Sequence, residues 1–211
     1  MTLVDKTGLV KIFKHISKIM HDNRDLLCQL DAEMGDGDLG LTMTKAFPAA
    51  EKEAEENTET DIGKLMMKCG MKMNSAAPST MGTLMSSGFV HAGKNLAGRA
   101  SLDAKDFAGF YMLLADGAAN RGKAKRGECT VLDSLYPAAD AAREAFEGDA
   151  DIAQIAAAAL AGAVSGLEAT KDMRPKYGKA AVFAEKSEGK IDQGALVGKL
   201  LAEGVMVAVS T

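Results

Sequence analysis

Eight apolar runs with a helical period constrain this chain more than any other feature of its sequence. Leu9, Ile12, Phe13, Ile16, Ile19 and Met20 recur at steps of three and four, which sets them along one face of a helix. Leu26, Leu27 and Leu30 extend that run toward residue 30. A second run covers Leu41 to Glu56, with Phe47, Ala50 and Ala54 on one face, glutamates mostly outside, and Pro48 marking its start or a bend. The third uses Ile62, Leu65, Met66, Cys69 and Met73, and the fourth Met81, Leu84, Met85, Phe89 and Val90, ending near Gly98. The fifth covers Leu102 to Gly122, with Ser101 or Asp103 as its cap. Thr130 and Asp133 have the spacing of a cap and open the sixth, which Pro137 kinks. Ile152, Ile155, Ala159, Ala163 and Leu167 make the seventh, behind Asp149 and Asp151. Leu196, Val197, Leu200, Leu201 and Val205 make the eighth, behind Asp192.

Most breaks between these runs are short, so consecutive helices become antiparallel neighbours. No segment shows a convincing strand-like alternation of apolar and polar residues. The composition agrees. Aromatic residues are 5% and Trp is absent, while Ala, Leu and 13 Met carry the apolar mass. Those three types lose little side-chain freedom in a helix. The expectation is one all-α domain over residues 1–211, with no internal boundary and no repeat. Periodicity alone does not choose between a solid bundle and a closed ring.

Charge and compartment narrow the function. Net charge is −4, which is not the basic footprint of a nucleic-acid binder; Lys123, Lys125 and Arg126 cluster, but only briefly. They read first as a solvated loop and second as a docking point for a partner. No apolar run comes near the roughly 20 residues that span a bilayer, so no membrane contact is expected. Met1 to Lys14 lacks a signal-peptide pattern. Cys28, Cys69 and Cys129 are odd in number, far apart and without metal-ligand spacing, so they read as buried free thiols in a cytoplasmic protein. His15, His21 and His91 are isolated and suggest no chemistry.

One stretch stands apart, Leu30-Asp-Ala-Glu-Met-Gly-Asp-Gly-Asp-Leu-Gly-Leu-Thr42. Asp31, Asp36 and Asp38 crowd together between two helical runs, with glycines that let the backbone turn tightly. Three carboxylates this close repel one another unless a cation sits between them. Hard oxygen ligands suit Mg²⁺, which leans on substrate phosphates to complete its octahedron. The helix that follows offers N-terminal N–H groups to phosphate oxygens. On spacing alone the segment reads equally as a capping turn with solvated acids. A calcium loop does not fit, because position five counted from Asp36 is Gly40.

The same stretch resembles the signature of the L subunit, the nucleotide-binding subunit, of dihydroxyacetone kinases. Asp116-Gly117, Arg121-Gly-Lys-Ala124 with Gly127 and Thr130, and Gly178-Lys-Ala180 through Glu185-Lys-Ser187 to Asp192-Gln-Gly-Ala195 resemble further family motifs in the same order. The resemblance implies a closed barrel of eight antiparallel helices with the nucleotide, ADP or ATP, at one end. It implies that Asp31, Asp36 and Asp38 hold two Mg²⁺ ions. Leu39, Gly40, Leu41 and Thr42, with Ser79 and Thr80, would contact phosphate. Gly122, Thr130 and Val131 would line the adenine side, while Lys179 and the turn from Asp192 to Gly194 would close over the nucleotide.

The implied activity is phosphoryl transfer to a short ketose. In this family the ketose is carried by a separate K-type subunit or domain, for which 211 residues leave no room, so a partner is required. The phosphoryl donor is either exchanging ATP or a phosphocarrier of a phosphotransferase system acting on fixed ADP. A homodimer is compatible with this picture. A nucleotide-dependent regulator that docks on another protein is the alternative, and a phosphatase the weaker third. The chain departs from the family pattern at four places. Leu39 stands for the usual His, the loop from Ala76 to Gly82 is shorter, Lys179 replaces Arg, and Gln193 replaces Pro.

Overall fold

The computed structural model describes residues 3–177, 181–182 and 187–211. Among them are nine α-helices: α1 (Lys6–Asp22), α2 (Arg24–Met34), α3 (Leu39–Glu56), α4 (Ile62–Ala76), α5 (Thr80–Asn95), α6 (Ala104–Gly122), α7 (Leu132–Glu147), α8 (Ile152–Ala169) and α9 (Gln193–Ser210). A 3-10 turn, Thr170–Asp172, follows α8. Pairing of extended backbone among the described residues is confined to one bridge, Val4 with Leu102.

The first apolar run is two helices. The chain breaks at Asn23, whose backbone N–H and side-chain amide both turn back to the Ile19 carbonyl. The apolar residues continue across the break, so their spacing alone does not reveal it. Pro48 and Pro137 both lie inside their helices. α6 is capped by Asp103, whose carboxylate accepts from the Asp106 N–H. α7 begins one residue later than the Thr130 cap implies. The Thr130 N–H does donate to Asp133, but the Thr130 hydroxyl accepts from Leu132, and Val131 occupies the cap position.

From α3 to α9 each helix packs on the next, α9 packs on α1, and α1 packs on α3. The short α2 lies against α3. The few aromatic residues are concentrated where four helices meet. Phe89 of α5 contacts Phe13 of α1, Phe47 of α3 and Phe110 of α6, with ring centroids 5.1, 6.3 and 6.0 Å away. Tilted and edge-on pairs of this kind add attraction beyond their area burial. Close backbone approach does the same work between α7 and α8, where a Cβ at Gly162 would lie 2.3 Å from the Pro137 carbonyl oxygen.

Two segments, Ile152–Asp172 and α9, are long and apolar enough by length and composition to cross a membrane. That corrects the expectation from the sequence, which found no run near that length. Their apolar character has a structural use: α8 is packed between α7 and α9, and α9 between α8 and α1.

Candidate functional site

The aspartate stretch folds as the link between α2 and α3. Asp31 lies on the last turn of α2, buried, with one carboxylate oxygen turned into the link. Its Oδ2 accepts from the backbone N–H of Asp38 at 3.0 Å and of Leu39 at 3.3 Å. These two bonds tie the end of α2 to the start of α3. The path between them depends on glycine. A Cβ at Gly35 would lie 2.4 Å from Asp31 Oδ1, and Gly37 takes φ +74°, a left-handed conformation that side chains disfavour.

Asp36 and Asp38 are exposed, and the three carboxylates each present an oxygen such that all lie within 4.8 Å of one another. Asp38 occupies the N-cap of α3 yet makes no capping bond with its side chain. Its carboxylate is therefore not spent on the helix. Three hard, negative oxygens gathered on a preformed turn fit a divalent cation of the Mg²⁺ type.

A cleft of about 1470 Å³ opens beside this cluster. Asp31, Asp36, Asp38, Leu39 and Thr42 form one side, and Ser79 and Thr80 at the start of α5 form another. Gly122, Thr130 and Val131, from the end of α6 and the approach to α7, line it as well, as do Asp192 and Gly194 at the start of α9. The fold thus brings most of the sequence-derived residues together from five separate places. Three differ. The Gly40 backbone faces α2, where a Cβ would lie 2.0 Å from the Arg24 carbonyl oxygen, and Leu41 is exposed; neither lines the cleft. Lys179 lies outside the described residues. In addition, the Leu39 N–H is already committed to Asp31, and the Ser79 hydroxyl already accepts from the Gly82 N–H as the cap of α5.

The cleft also contains residues that sequence reasoning passed over. His91, Lys94, Ser87 and Thr83 of α5, Asn120 of α6, and Tyr177 all line it. A signal existed in α5: Thr80, Thr83, Ser87, His91 and Lys94 recur at helical steps as a polar stripe. Tyr177 arrives through tertiary structure, its hydroxyl donating to the Lys123 carbonyl at 2.9 Å. The Lys123–Arg126 cluster is held in place. Arg126 pairs with Asp140 at 2.5 Å and lies over the Tyr136 ring, 4.4 Å from its centroid.

Beneath the start of α7 and α9 sits a buried polar group of residues. Asp133 accepts from the Gly127 and Thr130 N–H groups, and Asp192 accepts from the Ala195 N–H at 2.7 Å. The Asp192 N–H donates to the Thr170 hydroxyl at 2.9 Å. Burial pushes the Asp192 carboxyl up to about 7, against the Ala195 N–H, which favours the charged form, and aided by the Asp133 charge. Cys129, beside them, takes φ +59° and lines the cleft. Burial and the two carboxylates push its thiol up to about 12, so it is a neutral packing group near neutral pH. All three cysteines are free, as expected; Cys69 and Cys129 are buried and Cys28 partly so.

The described residues thus form an all-helical frame with a carboxylate cluster beside a wide cleft. The chain belongs to the DAK2 domain family, which it matches over residues 33–206. It is 28% identical, over 91% of its own length and 91% of the relative's, to the ADP-binding subunit DhaL of the PEP-dependent dihydroxyacetone kinase of Escherichia coli (strain K12). It is equally 28% identical to the L-erythrulose 1-kinase of Mycolicibacterium smegmatis, covering 90% of this chain but 33% of that longer protein. Among solved structures it resembles the dihydroxyacetone kinase of C. freundii in complex with AMP-PNP and Mg²⁺. There the TM-score is 0.71 at 22% identity, over 96% of this chain and 33% of that one. At this identity the structural likeness speaks for the fold, and the chain spans about a third of that kinase.

Proposed function

We propose that this chain is the nucleotide- and Mg²⁺-binding subunit of a dihydroxyacetone-type kinase. It positions ADP or ATP for phosphoryl transfer to the hydroxyl of a short ketose held by a separate K-type subunit. The observation that carries this reading is the set of Asp31, Asp36 and Asp38, gathered within 4.8 Å at the mouth of the cleft. The relatives that match it along nearly their whole length support it; one from Listeria innocua is also an ADP-binding subunit, 26% identical over 96% of both chains.

In this proposal the three aspartates hold two Mg²⁺ ions. When bound, Mg²⁺ neutralises phosphate charge and polarises the phosphoryl group being transferred. The chain itself supplies position. Thr42 and the start of α5, with Ser79 and Thr80, face the phosphates, because helix N-termini favour anions. Thr130, Val131 and Gly122 take the adenine side, and Asp192 and Gly194 take the far wall; by the family resemblance Lys179, outside the described residues, would close over the nucleotide. Phosphoryl transfer asks a protein for positioning and charge neutralisation more than for covalent help, so no further catalytic residue of this chain is needed.

The ring of neighbouring helices is the proposed closed barrel, and residues 1–211 its single domain. The chain works in the cytoplasm with its K-type partner, without nucleic acid or membrane, as a monomer or homodimer. The donor follows from the nucleotide's exchange rate. Release faster than turnover assigns ATP, and release far slower assigns fixed ADP recharged by a phosphotransferase-system phosphocarrier. The test is Mg²⁺-dependent ADP binding, then turnover with a ketose-loaded K-type subunit. If the Asp36→Ala variant retained full turnover, the metal-site argument would be wrong. Nucleotide binding without turnover would instead support the regulatory alternative.

A further inference from the structure

Tyr177 meets the cleft where the chain returns past the end of α6. Its hydroxyl donates to the Lys123 carbonyl at 2.9 Å, and Lys123 is the left-handed C-cap of α6, at φ +56°. One residue earlier, the Lys176 N–H donates to the Glu128 carbonyl at 3.3 Å, and the Lys176 ammonium pairs with the Glu128 carboxylate. The loop that receives these bonds is itself fixed, because Asp133 accepts from the Gly127 N–H. Gly122, just before Lys123, and Thr130, just beyond Glu128, both line the cleft. Tyr177 is therefore tied to the segment that carries the proposed adenine side, and not to the aspartate turn.

Most of the other aromatic rings are placed differently. Phe47, Phe89 and Tyr111 are buried in the core, and Tyr136 lies under Arg126. Among the described residues Tyr177 is the one aromatic side chain that lines the cleft, and it is 41% exposed. Its hydroxyl, the only polar group on the ring, already has an acceptor in Lys123, so what the side chain offers a ligand is its ring. The face of an aromatic ring carries partial negative charge. That face disfavours phosphate oxygens and suits the flat, apolar face of a base. The family motifs quoted from the sequence resume at Gly178 and give Tyr177 no role.

We propose that the Tyr177 ring packs against the base of the bound nucleotide, as a stacking platform anchored by its own hydroxyl. The inference rests on the nucleotide-binding reading above, and adds a residue that favours a nucleotide over an inorganic polyphosphate. It predicts a pattern that a merely structural tyrosine would not give.

The experiment compares wild type with Tyr177→Phe and Tyr177→Leu. Both variants lose the bond to Lys123 and both keep a bulky apolar side chain, but only Phe keeps the aromatic face. Mg·ADP should bind Tyr177→Phe within about threefold of wild type. It should bind Tyr177→Leu about fivefold more weakly than Tyr177→Phe. Mg·pyrophosphate, which has no base, should bind all three proteins alike. The two free variants should melt together, since each lacks the same hydrogen bond. Equal ADP affinity in the two variants would overturn the inference and assign the residue's role, if any, to its hydroxyl. It is overturned as well by a parallel loss for pyrophosphate, or by a lower melting temperature of Tyr177→Leu alone. Wild type failing to bind ADP at all would sink the nucleotide-binding reading itself, a separate result.

Discussion

Among the described residues six helices start at an aspartate, and five of those aspartates do something the sixth does not. Asp5, Asp61, Asp103, Asp151 and Asp192 each accept a hydrogen bond from a backbone N–H in the first turn of the helix they precede. Asp38 precedes α3 in the same way and accepts none. The difference lies in who serves the helix. At α3 the carboxylate of Asp31, seven residues earlier, takes the N–H groups of Asp38 and Leu39 from outside. That substitution leaves the Asp38 carboxylate pointing at Asp36 and Asp31, within the reach of one cation. An aspartate ahead of a helix is thus a cap by default, and becomes a ligand where another group has taken over the cap.

The sharpest way to break this comparison is to delete the sixth aspartate. Asp38→Ala should reduce Mg²⁺-dependent turnover by about a hundredfold or more, since one ligand of a charge-neutralising site is gone. Its melting temperature should hold or rise, because no cap is lost and a repelling charge is removed. Calorimetry beside a reconstituted kinase assay reads both. A clear loss of stability would mean that Asp38 supports the helix after all.

Asp31 should fail on both counts. Asp31→Ala removes a ligand and leaves two N–H groups at the start of α3 without their acceptor. A cost of about 1–3 kcal/mol in unfolding free energy is expected, together with the loss of nucleotide binding. Chemical denaturation and binding measured on the same sample would expose a split. Loss of binding with unaltered stability would show that the link does not depend on Asp31.

The comparison also shows what was legible in the sequence. Leu9 to Met20, or Leu196 to Val205, declare helices because burial on one face imposes a period of 3.6. The break at Asn23 is hidden, because α1 buries Leu9, Ile12, Ile16 and Met20 and α2 buries Leu27 and Met34, and the apolar pattern resumes beyond it. The three aspartates were legible because their ligand geometry is local, built within eight residues. Asn120 and Tyr177 were not, and the polar stripe that carries His91 and Lys94 was visible without its target, since only the packing of α5 beside α6 and the return of the chain past Lys123 bring them to the cleft. Gly40 and Leu41 show the converse. They belong to the motif by position, but helix geometry turns them toward α2 and toward solvent.

Asp192 sharpens the comparison by pH. It caps α9 like the others, but burial raises it from the ordinary 3.8 to about 7. Between those two values the folded chain keeps a proton that the unfolded chain has released. Stability from this group is therefore present at low pH, falls as pH rises through about 4 to 7, and levels off above. Asp192→Asn keeps a good cap and cannot ionise. It should flatten that part of the stability curve and stand above wild type at pH 8. Parallel wild-type and variant curves from pH 5 to pH 8 would show that Asp192 is not held protonated.

The smallest effect belongs to an ordinary cap, and it is the control on which the rest depends. Asp103 accepts from the Asp106 N–H at 2.8 Å and does not line the cleft. Asp103→Ala should cost about 1 kcal/mol, the usual worth of an N-cap, and leave Mg²⁺ and nucleotide binding untouched. Set beside Asp38→Ala, it forms a crossed pair of stability without function and function without stability. If Asp103→Ala also weakened nucleotide binding, the end of α6 at Gly122 would be relaying strain from its start, since that end does line the cleft. The division between capping and ligand aspartates would then be one of degree.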